Sequence, residues 1–158
     1  MKDLTINTHK AGLTMLIDYS QYDYTPQNST FSEYYKCRKD DKREATNLSI
    51  EDKSKIIEAI LMRFLELSFV QMKHFMDNTS KIVYGADIFS TIADFVEDKF
   101  AITGGYIDGI QGHKYSEIGR PFQRRIMEYN VHYLWLRYGT EDNKKIMEDV
   151  IDIMHRVK

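Results

Sequence analysis

Between residues 49 and 78 the chain reads SIEDKSKIIEAILMRFLELSFVQMKHFMDN, with neither proline nor glycine to interrupt it. At about 100° per residue, Ile57, Ile60, Leu61, Phe64, Leu65, Leu67, Met72 and Phe75 cover more than half of a helical circumference. Lys55, Glu58, Arg63, Glu66, Lys73, His74 and Asp77 fall on the remaining arc, which is expected to face water. Ser49 suits the N-cap, and Glu51 and Asp52 suit the positive end of the helix dipole. A helix that apolar is expected to be the central rod of a domain. Ser68 and Gln71 interrupt its apolar side, and a buried Gln71 would need hydrogen-bond partners.

Three further helices are expected around that rod. Residues 84–100 place Ile88, Ile92, Phe95, Val96 and Phe100 on one face. Residues 121–138 open on Pro121 and stop before Gly139. Residues 141–157 follow Thr140 as N-cap, with a stripe of Ile146, Met147, Val150, Ile153, Met154 and Val157. Gly139-Thr140 then reads as a tight turn between two antiparallel helices. Upstream, residues 13–25 read as a strand or hairpin half, residues 31–37 as a short helical turn begun by Ser32, and residues 38–47 as a mixed-charge connector. The expected fold is therefore mainly α. It is a four-helix bundle-like single domain, residues 49–158, carrying a Tyr-rich N-terminal extension of strand or irregular form, residues 1–48. A Gly-rich loop lies between its second and third helices.

At 158 residues the chain can bury one real core. Its formal net charge of −2 supplies no bulk attraction to nucleic acid or anionic lipid. The one cysteine, Cys37, excludes an internal disulfide and a thiolate cluster, which fits a reducing, cytoplasmic setting. Lys36, Arg38 and Lys39 flank it, but an incidental exposed thiol is the expected reading. The first ten residues carry Asp3 and lack an apolar core, so no signal peptide is expected. No apolar run is long enough to span a membrane.

Candidate sites come from four places. Tyr19, Tyr22, Tyr24, Tyr34 and Tyr35 crowd a short stretch and offer aromatic contact area. Asp18, Asp23 and Glu33 among them would repel phosphate, which favours a protein partner over nucleic acid. Residues 101–120 contain Gly104, Gly105, Gly109, Gly112 and Gly119. Lys114 and Tyr115 do not complete a P-loop, and a helix is expected where a dinucleotide fold needs a strand. His113, Lys114 and Arg120 could still hold an anion there; a small hairpin or structural loop is the plainer reading. Asp94, Glu97 and Asp98 read as a solvated acidic face, and no His/Cys spacing suits zinc. No cofactor is expected.

The helix expected over residues 121–138 is the most basic element, with Arg120, Arg124, Arg125, His132 and Arg137. On one helix Arg125 and His132 would share a face. Their spacing resembles the Arg-x(4–6)-His motif of the HEPN family of helical-bundle ribonucleases. The resemblance covers Arg125 to His132 and departs from the family at Ile126, where a polar residue is common. It implies metal-independent RNA cleavage at a dimer interface, with His132 moving a proton and Arg125 stabilising phosphoryl charge. The plainer reading makes Arg125 a solvated residue and packs His132 beside Trp135. The expected function is a small binding protein, a regulator, inhibitor or assembly component acting through protein contact. The alternative is a HEPN-like ribonuclease, and nucleic-acid binding through the basic helix is a weaker third. An oligomer is compatible with each.

Overall fold

The computed structural model describes residues 5–7, 14–16, 22–76 and 80–157. The chain is not a helical bundle: it is an α/β protein with a four-stranded mixed sheet. In order come β1 (Thr5–Asn7), β2 (Thr14–Leu16), β3 (Tyr22–Thr30), α1 (Phe31–Arg38), α2 (Ile50–Leu61), β4 (Leu67–His74) and β5 (Lys81–Tyr84). Then follow α3 (Ala86–Val96), α4 (Arg120–Met127), β6 (Asn130–Tyr138) and α5 (Glu141–Arg156), with short 3-10 turns at Asp108–Ile110 and Tyr115–Glu117. β1 and β2 pair with each other antiparallel, and the larger sheet has the order β3-β6-β4-β5. β4 and β5 run antiparallel. Phe75 N–H, just past the end of β4, donates to the O of Tyr138, the last residue of β6, as two parallel strands allow. Phe31 N–H donates to Tyr129 O where β3 ends and β6 begins, as an antiparallel pair requires.

The chain divides into two compact units. One is residues 1–27, 69–84 and 133–158; the other is residues 28–68 and 85–132. The division falls within β3, β4 and β6. In the first unit, Val70, Met72, Leu136 and Tyr138 of the sheet pack on Met147 and Ile151 of α5, with Val83, Tyr84 and Leu134 at the margin. The second unit is mostly helical. Phe31, Tyr34, Ile57, Ile60, Leu61, Phe89, Ile92, Phe95 and Ile126 fill its core. There α2 packs on α3 and α4, and α1 packs on α4.

Two expected helices are corrected. The rod of residues 49–78 is a helix only to Leu61; Ser49 caps it as expected, accepting from Asp52 N at 3.1 Å. The second half is β4, an interior strand buried at Leu67, Phe69, Val70, Gln71 and Met72. A strand buried on both faces is a continuous apolar run, and such a run fits a helical wheel as readily as a strand. The break has no glycine. Met62 is the C-cap and Arg63 takes a left-handed φ of 61°. Arg63 N–H donates to Ile60 O and Phe64 N–H to Ala59 O, the two bonds of a Schellman motif. α3 ends the same way at Asp98, with φ 60° and bonds from Asp98 N to Phe95 O and from Lys99 N to Asp94 O.

The helix expected over residues 121–138 is likewise split, into α4 and β6. Val131, Tyr133, Trp135 and Tyr138 are strand-favouring residues, and that composition was the signal against a helix. Gly139-Thr140 therefore joins a strand to a helix, not two helices. Thr140 still caps α5, accepting from Asn143 N at 3.2 Å. α1 is capped by Thr30 in place of Ser32. Glu58, expected to face water, is fully buried, and Phe64, expected in the core, is 70% exposed.

Leu61→Ala should destabilise the protein by about 2–5 kcal/mol in chemical denaturation, whereas Phe64→Ala should change stability by less than about 0.5 kcal/mol. Arg63→Gly should stabilise by about 0.5–1 kcal/mol, because glycine adopts the left-handed C′ conformation without a Cβ clash. Equal losses at Leu61 and Phe64, or destabilisation by Arg63→Gly, would place the helix end elsewhere.

Candidate functional site

Within the second unit, the turn at residues 62–66 and the α4 region enclose a cleft of about 810 Å³. Gly119 precedes α4 with φ 91°, and Pro121 occupies its first turn. The helix lasts only two turns, so it sets Arg124 and Arg125 beside the turn before the chain enters β6. Arg125 Nη1 donates to Leu61 O at 3.2 Å, one of the carbonyls left over at the end of α2. The Tyr129 hydroxyl donates to Leu65 O. These two bonds fix both ends of the turn and leave Phe64 standing out on the cleft wall. Arg63 joins Arg124 and Arg125 along the same lining. Two carboxylates, Glu66 and Glu128, oppose them. Arg124 pairs with Glu128 at 3.2 Å across one exposed helical turn, a bond worth little in water. His132 also lines the cleft, and its Nδ1 is hydrogen-bonded to Asn28 Oδ1.

Arg125 and His132 thus meet in one cleft, but from a helix and a strand, not along one helical face. The helical-bundle setting that the ribonuclease resemblance requires is absent. Arg124 and Arg120 also line a smaller cleft of about 290 Å³ with Thr30, Ser32, Tyr115 and Gln123. His113 and Lys114 do not line either cleft. Tyr34 is buried, edge-on to Phe89 at 5.5 Å, and Tyr35 stacks on Phe31 at 5.8 Å. Tyr22 and Tyr24 lie on β3, and nothing is described of their side chains; Tyr19 lies outside the described residues. Cys37 is exposed on α1. The feature that sequence reasoning missed is the arrangement of Arg63 and Phe64, because nothing in LMRFLEL announces a turn.

The glycine-rich loop is held to α2. Ser54 and Glu58, one helical turn apart and both buried, face it. Ser54 Oγ accepts from Thr103 N at 3.0 Å, and Glu58 Oε2 accepts from Tyr106 N at 2.6 Å and Ile107 N at 2.5 Å. Gly105 is required there, since a Cβ would lie 1.3 Å from Glu58 Oε1. Gly105 N–H donates to Gln111 Oε1 at 3.1 Å, and Ile102 and Gly112 close the loop through Gly112 N to Ile102 O at 2.7 Å. The loop's amides are therefore turned toward the protein's own carboxylate and carbonyls.

Asp94 of α3 and Glu97 at its C-cap are paired. Arg43 bridges Glu97 at 2.7 Å and Asp94 at 3.3 Å, and Lys99 adds bonds to both. Tyr35 donates to Glu97 Oε2 at 2.6 Å. Arg43 thereby pins the mixed-charge connector to α3. The Arg43 hydrogen bond holds the Glu97 carboxyl down to about 2, and burial first, then Glu97, pushes the Tyr35 hydroxyl up to about 12. Asp98 is lowered by the Ser116 backbone N–H.

No known family model, curated protein or solved structure matches the chain. Among the described residues no helix is long and apolar enough to cross a membrane, and no three His, Cys, Asp or Glu side chains gather where a metal ion could be held.

The depressed Glu97 should make the network's contribution complete above the ordinary carboxylate pKa of 4.5 and lose it as pH falls toward about 2. Tyr35 prefers its neutral form in the folded state, so stability should also fall as pH rises from 10 toward about 12. Glu97→Gln should flatten the acid limb of a stability–pH profile; an unchanged acid limb would remove Glu97 as its source.

Proposed function

We propose that the protein works by binding another protein, as a regulator, inhibitor or assembly component. The 62–66/α4 cleft takes an acidic segment of the partner that carries an apolar side chain. The supporting observation is Phe64, 70% exposed beside Arg63, Arg124 and Arg125. Exposing a phenylalanine on a fixed turn has no folding benefit, and aromatic and arginine side chains are the residues that anchor protein contacts. Glu66 and Glu128 in the same lining argue against a phosphate backbone and for a partner with mixed charge.

A photo-crosslinking residue at position 64 should capture a protein partner in cells. Phe64→Ala should then weaken that complex by about tenfold or more, and Arg124→Glu should weaken it with a shallower salt dependence. EDTA-resistant cleavage of single-stranded RNA, lost in both Arg125→Ala and His132→Ala, would overturn this reading in favour of the ribonuclease. A captured complex indifferent to Phe64→Ala would remove the cleft from it.

A further inference from the structure

α5 belongs to the first unit and buries Met147 and Ile151 against the sheet. That face does not account for its other apolar residues. Ile146, Val150 and Ile153, with Val157 at the C-cap just past the last helical residue, recur at steps of four, three and four, the seam of a coiled coil. Val150 and Ile153 are each 50% exposed and Val157 is 72% exposed. At about 100° per residue the three helical residues fall within a narrow stripe, displaced from Met147 and Ile151 by roughly a quarter turn, and the C-cap Val157 follows at its end.

We propose that this stripe pairs with the same stripe of a second copy, antiparallel. In that arrangement Ile146 meets Val157 of the second copy, and Val150 meets Ile153, so all four apolar residues find partners. The charges choose the direction. Asp149 and Arg156 lie one heptad apart on the same flank of the seam and are both exposed. Antiparallel pairing sets Asp149 of each copy beside Arg156 of the other, twice over. Parallel pairing would set that flank against Met147 and Met154, which carry no charge. The stripe is only about 16 Å long, so the contact is smaller than a standard interface and the dimer is weak.

Sedimentation equilibrium on the intact chain from about 1 µM to about 1 mM tests the proposal. A concentration-dependent dimer is expected, lost with Val150→Glu. Asp149→Arg alone and Arg156→Asp alone should each weaken the dimer by about tenfold, because each puts like charges together across both symmetric contacts. The double variant Asp149→Arg/Arg156→Asp should restore it. Circular dichroism of each variant checks that the fold persists. A chain that stays monomeric throughout overturns the proposal and leaves the stripe to a foreign helix or surface. A dimer indifferent to Val150→Glu, or a double variant that fails to recover, overturns it as well.

Discussion

The end of α2 decides what the rest of the chain can do. A helix leaves its last carbonyls without partners, and they must be met by other groups if the end is not to be solvated. Here the Schellman bonds from Arg63 and Phe64 meet two of them, and Arg125 of α4 meets Leu61 O. The left-handed Arg63 reverses the chain at once and allows β4 to begin at Leu67. Without that reversal the apolar run would continue as one helix and the sheet would lose an interior strand. The cleft and the exposure of Phe64 are by-products of the same turn. The strain of a non-glycine residue in that conformation, about 1–2 kcal/mol, is offset by the bonds it makes possible.

α2 also organises its other flank. Its buried Ser54 and Glu58 replace the hydrogen bonds that a glycine-rich loop would otherwise seek from water or a ligand. A loop with the composition of an anion cradle is in this way committed to the protein itself. The Tyr35–Glu97–Arg43 network does the same for the mixed-charge connector. Both cases show candidate binding chemistry used to hold irregular backbone, and both narrow the functional question to surfaces that the fold leaves open.

Much of the helix detail was legible. Ser49 and Thr140 cap helices as their sequence neighbourhoods imply, and Leu61, Ile57, Ile60, Phe95 and Ile92 occupy the core their spacing assigns. The sheet was not legible. LSFVQMKH is buried on both faces, so period-two alternation is erased and the run matches a helical period instead. The helix ends at Arg63 and Asp98 lack glycine, so the usual stop signal is missing. NVHYLWLRY carried strand-favouring residues, but Pro121 and Gly139 on either side framed it as a helix. The cleft inherits this: Arg125 and His132 were expected together for a reason that fails, and they meet for a topological one, the passage from α4 into β6.

The dependence of the turn on Arg125 is open to direct measurement by amide hydrogen exchange of the wild type and Arg125→Ala. If Arg125 holds the end of α2, peptides covering residues 61–66 should exchange about tenfold faster in the variant, while residues 50–58 keep their protection. Equal exchange at residues 61–66 in the two proteins, or loss of protection along all of α2, would contradict the account.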